Sequence, residues 1–220
     1  MKRSLIVIGT AATLIAAFVA GAYFYTARQN AEVTTAAQSV DSPFKRVGTP
    51  SMGNPDAKVE ITEFFDPACE ACRAFYPHVK RLLGEHSGKV RLTLRYAAFH
   101  EGSDYVVKVL EAARLQGQEI YLKTLEATLS AQPMWAEHGR PQPQKVWDAL
   151  ASTGLDTERA RRDMERPEIA ARLQQDTADI VALNVRQTPT FFINGKPLRN
   201  FGQDGLSFQL REEIAASYPL

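Results

Sequence analysis

Hydrophobic positions along the chain follow three patterns, and each pattern predicts a different kind of element. Residues 5–25 contain no charged side chain, and Lys2 and Arg3 precede them. Short apolar or alternating runs over 58–65 and 90–97 predict two strands. Apolar residues three and four positions apart, interrupted by glycine and proline, predict helices at 73–83, 105–115, 120–129, 146–150, 156–164, 167–184 and 206–217.

The order of these elements predicts an α/β fold. A strand, a helix and a second strand in succession call for a right-handed crossover between parallel strands. A helical middle over about 101–184 follows, and then two short strands at 190–193 and 197–200 lead into the closing helix. A further short edge strand is expected at 44–47. The part of the chain over 44–220 is long enough to bury a core of its own as one domain.

The apolar N-terminal stretch predicts export. At about 1.5 Å per residue, a helix over 5–25 is long enough to cross a bilayer, so 1–27 is predicted to be a signal anchor. Small residues at 20–22 keep a cleaved signal peptide as the alternative. The basic residues before the helix place the rest of the chain on the periplasmic side of the bacterial inner membrane, anchored or, after cleavage, soluble. Residues 28–43 are polar and small, and we expect a flexible linker there, with an N-terminal helix on the domain as the alternative.

Charge is balanced along the chain. The sequence has 26 Lys and Arg against 25 Asp and Glu. Leaving out Lys2 and Arg3 reduces the basic count to 24, so the exported part has a net charge of −1. This balance provides no electrostatic footprint for nucleic acid or for anionic lipid headgroups.

The only two cysteines, Cys69 and Cys72, lie three positions apart between the first predicted strand and the helix that follows it. A strand that delivers a C-x-x-C pair to the start of a helix is typical of a thioredoxin-type redox site. The first turn of a helix has unpaired N–H groups and about +0.5 of partial charge, which favours a thiolate. Cys69 is therefore predicted to attack a client disulfide or to be attacked by a client thiol, and Cys72, one turn further on, to resolve the mixed disulfide.

Other uses of the pair are weighed against this one. A structural disulfide closing so short a loop restrains the unfolded chain little. A zinc site needs about four ligands, and the histidines show no ligand spacing relative to the pair; they are His78, His86, His100 and His138. A module that handles a soft metal ion stays a weaker alternative, and no metal or cofactor is predicted. Trp135 and Trp147 are expected to pack in the core or the helical middle, and His100 is given no role.

A second motif, QTPTFFING over 187–195, reads as a loop, a proline, a short strand and a turn. Together with the cysteine pair it resembles the DsbA-like class of thioredoxin-fold proteins, the bacterial exported thiol-disulfide oxidoreductases. The resemblance implies a thioredoxin fold, a central mixed sheet flanked by helices, with a helical domain inserted at about 101–184. It also implies that Pro189 is cis, faces the cysteines and, with Thr188, offers backbone to an extended client segment.

The resemblance further places a buried carboxylate at Glu63, close to the cysteines, where a raised pKa suits it to take or give a proton during exchange. The alternative is a solvated or ion-paired strand acid. The expected partners are client proteins with thiols or disulfides and a membrane redox partner that resets the pair.

The sequence departs from the family pattern at three positions. Strongly oxidising members have Pro and His between the cysteines, whereas this chain has Glu70 and Ala71. A negative charge beside Cys69 opposes its thiolate, which predicts a milder oxidant. Thr188 replaces the valine of the best-known oxidase and is more typical of isomerases. A disulfide isomerase or reductase kept reduced by a membrane donor is therefore the main alternative.

Overall fold

The structure, a computed structural model, describes residues 2–38 and 42–219. Within these residues one five-stranded sheet has the order β1-β3-β2-β4-β5. Strands β2 and β3 are parallel, and the other neighbouring pairs are antiparallel. The strands are β1 (Ser51–Gly53), β2 (Val59–Phe65), β3 (Val90–Tyr96), β4 (Thr190–Ile193) and β5 (Lys196–Pro197). The mixed sheet and the parallel pairing of β2 with β3 confirm the predicted α/β thioredoxin fold.

The helices flank this sheet and fill the chain between β3 and β4. They are α1 (Lys2–Gln38), α2 (Glu70–Glu85), α3 (Ser103–Arg114), α4 (Gln118–Ser130), α5 (Gln132–Trp135), α6 (Val146–Ala149), α7 (Thr157–Asp163), α8 (Pro167–Ala182) and α9 (Gln203–Ser217), with a 3-10 turn at Pro143–Lys145. Trp135 and Trp147 are both buried in a cluster formed mainly by the inserted helices, as expected. The division of the chain into domains stays a prediction.

Side-chain alternation along β2 gives the two faces of the sheet different partners. Ile61 and Phe65 pack with apolar residues of α2 and α9, in the same cluster as both cysteines. Phe64 faces the other way and packs with Phe192 of β4 and with residues around the end of α8. Glu63 lies on the α2 side, between Leu94 and Phe191 on the neighbouring strands, and it is therefore placed under the cysteine pair.

The chain after the apolar stretch is helical, not irregular. Helix α1 continues to Gln38, through most of the predicted linker over 28–43, whose residues 39–41 lie outside the described residues. Two contacts explain the difference. Val33 is buried in the cluster around Phe64, and the Asn184 side chain donates a hydrogen bond to Gln29 Oε1 at 2.8 Å. Among the side chains that the structure describes in this part of α1, Val33 is the buried one. One apolar position is too weak a periodic pattern to predict a helix from sequence.

Part of α1 is long and apolar enough to cross a membrane. The stretch Thr10–Val33 has 24 residues, and a window of 18 residues within it has a mean hydropathy of 1.4. By length and composition this N-terminal helix fits a signal sequence or an anchor, which agrees with the coarse prediction of export.

The edge strand predicted at 44–47 is wrong; the sheet instead begins with β1 at Ser51–Gly53. The Phe44 ring packs on Phe192 with 5.0 Å between ring centroids, and Arg46 pairs with Asp179 at 2.7 Å. These side chains tie the segment to α8 and to the sheet face, so it does not lie along the sheet edge. Strand β5 is also shorter than the predicted 197–200.

A buried arginine joins three parts of the chain. Arg95 on β3 is 1% exposed and donates from Nε to Asp176 Oδ1 on α8 at 2.6 Å. It also binds Asp179 and the carbonyl oxygen of Pro43. Because a buried guanidinium needs compensating acceptors, these partners hold α8 and the segment before β1 against the sheet.

Candidate active site

Cys69 is the N-cap residue of α2. Strand β2 ends at Phe65, and a turn closed by the Cys69 N–H on the Asp66 carbonyl oxygen at 3.1 Å leads into the helix. Cys69 has extended backbone angles, φ −76° and ψ 120°, and the helix begins at Glu70. Its side chain is 6% exposed, whereas that of Cys72 is fully buried. The local sequence therefore places one sulfur at the rim of the domain and the other beneath it.

The loop before β4 faces this sulfur. The Thr188–Pro189 peptide bond is cis, as predicted. The Cys69 sulfur lies 3.2 Å from the Thr188 carbonyl oxygen, to which its thiol form donates a hydrogen bond, across 119 positions of sequence. The structure thus brings together Cys69, Cys72, Thr188 and Pro189, which the sequence singled out from two distant segments.

The two sulfurs have opposite acidities. A hydrogen bond from Cys72 is the largest influence on Cys69; with backbone N–H groups of α2, and against burial, it lowers the pKa of the Cys69 thiol to about 5. Burial, followed by the hydrogen bond with Cys69 and the charge of Glu63, raises the pKa of Cys72 far above its ordinary value. At neutral pH Cys69 is therefore a thiolate and Cys72 a thiol, and the attacking and resolving roles fall to different residues.

Glu63 lies within the same region of the core. Its side chain is 1% exposed, and neither carboxylate oxygen has a hydrogen-bond partner. Burial first, and then the charge of Cys69, raises the pKa of Glu63 to about 8. The expected burial of this carboxyl group is confirmed, and its part in proton transfer stays a prediction.

Glu70 pairs with a histidine of the inserted helices, and its predicted opposition to the Cys69 thiolate stays a prediction. Its side chain turns to His138, with 2.9 Å between Glu70 Oε1 and His138 Nε2. Its own backbone N–H is the largest influence that lowers the pKa of Glu70, and His138 and His100 add to it. The pKa of Cys69 nevertheless lies about 4 below its ordinary value of 9.0, so Glu70 does not keep the nucleophile protonated. Hydrogen bonds at the start of α2 outweigh one solvated negative charge.

Asp66 organises the turn, and sequence reasoning missed it. Its buried carboxylate accepts from the backbone N–H groups of Ala68 at 2.9 Å, Phe99 at 2.8 Å and His100 at 3.0 Å. The Ser103 hydroxyl also binds it. The parallel pairing of β2 with β3 was a usable signal, because residues that follow neighbouring parallel strands meet at one edge of the sheet.

Gln132 of α5 is the second missed residue. Its Nε2 donates to the Pro67 carbonyl oxygen at 2.8 Å and to the Cys69 carbonyl oxygen at 3.0 Å. The inserted helices thus fix the backbone of the cysteine turn through a side chain. No local pattern marks this glutamine, because its partners lie more than sixty positions away.

Residues 2–38 and 42–219 contain no group of three or more His, Cys, Asp or Glu side chains arranged to hold a metal ion. Both cysteines are free thiols.

Residues 45–211 match the family model described as Thioredoxin. The match covers well over half of the chain, so the protein belongs to this family. Its fold is that of the DsbA-like members, as the structural relatives show. Thiol-disulfide exchange protein alpha-DsbA2 from Wolbachia pipientis superposes with a TM-score of 0.71 at 21% identity, over 85% of this chain and 98% of that one.

Two relatives are similar in sequence. Disulfide bond formation protein D of Bacillus subtilis is 24% identical over 174 residues, which is 76% of this chain and 78% of that protein. The Na(+)/H(+) antiporter NhaA of Herminiimonas arsenicoxydans is 28% identical over 147 residues. That match covers 67% of this chain but 22% of the antiporter, so the chain spans only a small part of that relative.

Proposed function

We propose that the protein is an exported thiol-disulfide oxidoreductase that exchanges disulfides with client proteins through Cys69 and Cys72. The supporting observation is the position of the Cys69 sulfur at the start of α2, with a pKa of about 5, 3.2 Å from the Thr188 carbonyl oxygen of the cis-proline loop. The name of the Bacillus subtilis relative, a disulfide bond formation protein, supports the same activity.

The first step begins from the oxidised pair. A client thiolate attacks the Cys69 sulfur, the Cys69–Cys72 bond breaks, and a client–Cys69 disulfide forms. The Cys72 sulfur leaves with the electron pair and takes up a proton, because its buried thiolate is strongly disfavoured. We assign the supply of that proton to Glu63, which is protonated at neutral pH, directly or through water; solvent then returns a proton to the Glu63 carboxylate.

The second step releases the product. A second client thiolate attacks the client sulfur of the mixed disulfide, a client disulfide forms, and Cys69 leaves as a thiolate. The low pKa of Cys69 makes it a good leaving group. Two electrons have then moved from the client to the cysteine pair, and the two client thiols have lost their protons. Reset of the pair requires a disulfide donor, which we assign to a membrane redox partner.

Client binding is assigned to the cis-proline loop. Pro189 has no N–H, and its cis bond turns the Thr188 backbone toward the nucleophile. An extended client segment can pair with this backbone as an added strand, which brings a client sulfur to Cys69 without demanding a client sequence.

The N-terminal helix supports export and attachment to the periplasmic side of the inner membrane. Its apolar part fits a signal sequence or an anchor. Cleavage near 20–22 would leave Gln29 and Val33, which contact the domain, in place. Both outcomes keep the cysteine pair in a compartment where disulfides persist.

The direction of exchange follows from the thiolate. A stabilised Cys69 thiolate favours the reduced pair and so makes the disulfide a better oxidant. The prediction of a mild oxidant rested on Glu70 opposing that thiolate, and the pairing of Glu70 with His138 weakens its premise. Equilibration with glutathione measures the potential; a value far below about −120 mV favours the isomerase or reductase alternative.

The activity test uses the full-length chain in a non-ionic detergent, oxidised at Cys69–Cys72, with a reduced peptide that has two cysteines. We expect the peptide to gain a disulfide as the protein becomes reduced. Cys72→Ala, reacted as a disulfide at Cys69 with a small thiol, should accumulate a mixed disulfide with a form of the peptide that has one cysteine, because that peptide has no second thiol to release it. Cys69→Ala should do neither. Equal peptide oxidation by Cys69→Ala and by the parent chain would refute the proposal.

A further inference from the structure

Two histidines from separate elements meet beside the nucleophile. His100 follows β3, and His138 follows α5 in the inserted helices. Their rings lie edge to face with 6.1 Å between centroids. Both line a cleft of about 140 Å³ next to Ala68, the residue before Cys69. The exchange steps described above use neither of them.

His100 is held in place by a buried acid. Its Nδ1 lies 2.8 Å from Asp66 Oδ2, and its backbone N–H donates to the same oxygen at 3.0 Å. Asp66 is itself fully buried and fixed by the backbone of the cysteine turn. The imidazole therefore cannot move away from the turn without breaking the contacts that shape it.

His138 holds the other charged neighbour of the nucleophile. Its Nε2 lies 2.9 Å from Glu70 Oε1, although the two side chains are 70% and 55% exposed. Glu70 directly follows Cys69, and its carboxylate would otherwise be free to turn back toward the sulfur. The pair joins the motif to the inserted helices, so the charge between the cysteines is directed into the cleft.

We propose that His100 and His138 are positioning residues that set the charge around Cys69: His100, fixed by Asp66, supplies the positive charge beside the thiolate, and His138 binds Glu70 and offsets its negative charge. This inference rests on the proposed exchange function. It assigns to two distant loops the electrostatic support that the residues between the cysteines do not provide.

The charges around the cleft agree in sign with this assignment. Burial lowers the pKa of His100, but its hydrogen bond and charge interaction with Asp66, and then the charges of Cys69 and Glu70, raise it above the ordinary value of 6.5. His100 is therefore protonated where Cys69 titrates, near pH 5. Glu101 and Glu137 also line the cleft, and Glu63 lies beneath the cysteines, so the surrounding acids favour a cationic imidazole.

A consequence concerns the proton balance of reduction. In the disulfide form Cys69 carries no charge, so His100 loses one of the charges that raise its pKa. Reduction restores the thiolate and draws a proton onto His100. Above the pKa of His100 the thiolate loses its cationic neighbour. A plot of the reduction potential of the Cys69–Cys72 pair against pH should therefore change its slope at that pKa.

The test measures the pKa of Cys69 in the reduced full-length chain from its thiolate absorbance in the far ultraviolet. His100→Gln retains a donor for Asp66 but carries no charge, and we expect the pKa of Cys69 to rise by roughly half a unit, the size of a partly solvated charge pair. His138→Ala should raise it by a smaller amount. Glu70→Gln should lower it, and in that background His138→Ala should have no further effect.

His86→Gln is the matched control, because this histidine caps the opposite end of α2, about 24 Å along the helix. It should leave the pKa of Cys69 unchanged. Urea unfolding of each variant confirms that it is folded. An unchanged pKa in His100→Gln, or an equal change in His86→Gln, would overturn the proposal. If the parent chain does not oxidise the peptide, the exchange function is refuted instead. The two results can be told apart because the titration of the Cys69 thiol does not depend on turnover.

Discussion

Replacement of Glu63 by glutamine tests the buried carboxyl group most directly. Glutamine has the shape and polarity of the protonated carboxyl but cannot ionise. The folded protein holds Glu63 neutral up to a pKa of about 8, whereas the unfolded chain ionises it near the ordinary pKa of 4.5. At neutral pH, folding of the parent chain therefore requires Glu63 to take up a proton, whereas the Glu63→Gln variant folds without this step.

The size of the effect follows from the two pKa values. Between pH 4.5 and 8 the folded state binds more protons than the unfolded state, so the stability of the parent falls as pH rises through that window. At pH 7 the interval from 4.5 is 2.5, and at about 1.36 kcal/mol per unit Glu63→Gln should be more stable by about 3 kcal/mol. Below pH 4.5 the two proteins should be equally stable, and above pH 8 the difference should level off.

The assay is urea unfolding of the reduced full-length chain in detergent at pH 4 and pH 7. The slope of the unfolding free energy against urea concentration is compared between parent and variant. Glu60→Gln is the control, because Glu60 lies on the same strand but pairs with Arg91 at 2.6 Å. Its loss should destabilise the protein slightly. The argument would be refuted if Glu63→Gln gained no unfolding free energy at pH 7, or gained as much at pH 4 as at pH 7.

Three further substitutions test the contacts that shape the site and the fold. Cys72→Ala removes the largest influence that acidifies the nucleophile, so the pKa of Cys69 should rise above about 5 in a thiolate titration; an unchanged midpoint would exclude that hydrogen bond as the cause. Gln132→Ala removes the donor to the Pro67 carbonyl oxygen and one of two donors to that of Cys69, which keeps the Arg73 N–H, and urea unfolding should show a loss of about 1–3 kcal/mol with slower peptide oxidation; unaltered stability would contradict it. Arg95→Leu leaves buried Asp176 without its ion-pair partner, whereas Asp179 keeps Arg46, and it should destabilise by about 3–5 kcal/mol, against less than about 1 kcal/mol for exposed Arg159→Leu; equal losses would refute the comparison.

The strands and most helices were predictable because each has its own periodic signal. The structure places β2 and β3 at Val59–Phe65 and Val90–Tyr96, within a residue of their predicted bounds. The misassigned elements are those whose conformation depends on distant partners. Phe44 and Arg46 form no strand because their side chains bind β4 and α8, and α1 extends because Val33 finds a buried site.

The active site shows the same contrast between residues that have a signal in the local sequence and residues that depend on distant partners. Cys69 and Cys72 were predictable from spacing, and the facing loop at Pro189 from its resemblance to the family. Asp66 and Gln132 carry no local signal, because what distinguishes them is a set of backbone partners made only by folding. Glu70 is a related case: its charge was visible in the sequence, but its partner His138 lies 68 positions away.

The environments of the two sulfurs also bear on what happens to a mixed disulfide. Cys72 can attack Cys69 and expel the client only as a thiolate, and its buried thiol needs a base. Glu63 is the available base, yet burial keeps it mostly protonated at pH 7. Although Cys69 carries no charge in the mixed disulfide, burial, the larger influence on Glu63, persists. Expulsion of the client is therefore slow at neutral pH, and a client with a second thiol has time to complete its own disulfide. As pH rises through the pKa of Glu63, expulsion of the client by Cys72 should begin to compete with formation of the client disulfide. The same carboxyl group that supplies a proton in the first step therefore also limits the reversal of that step.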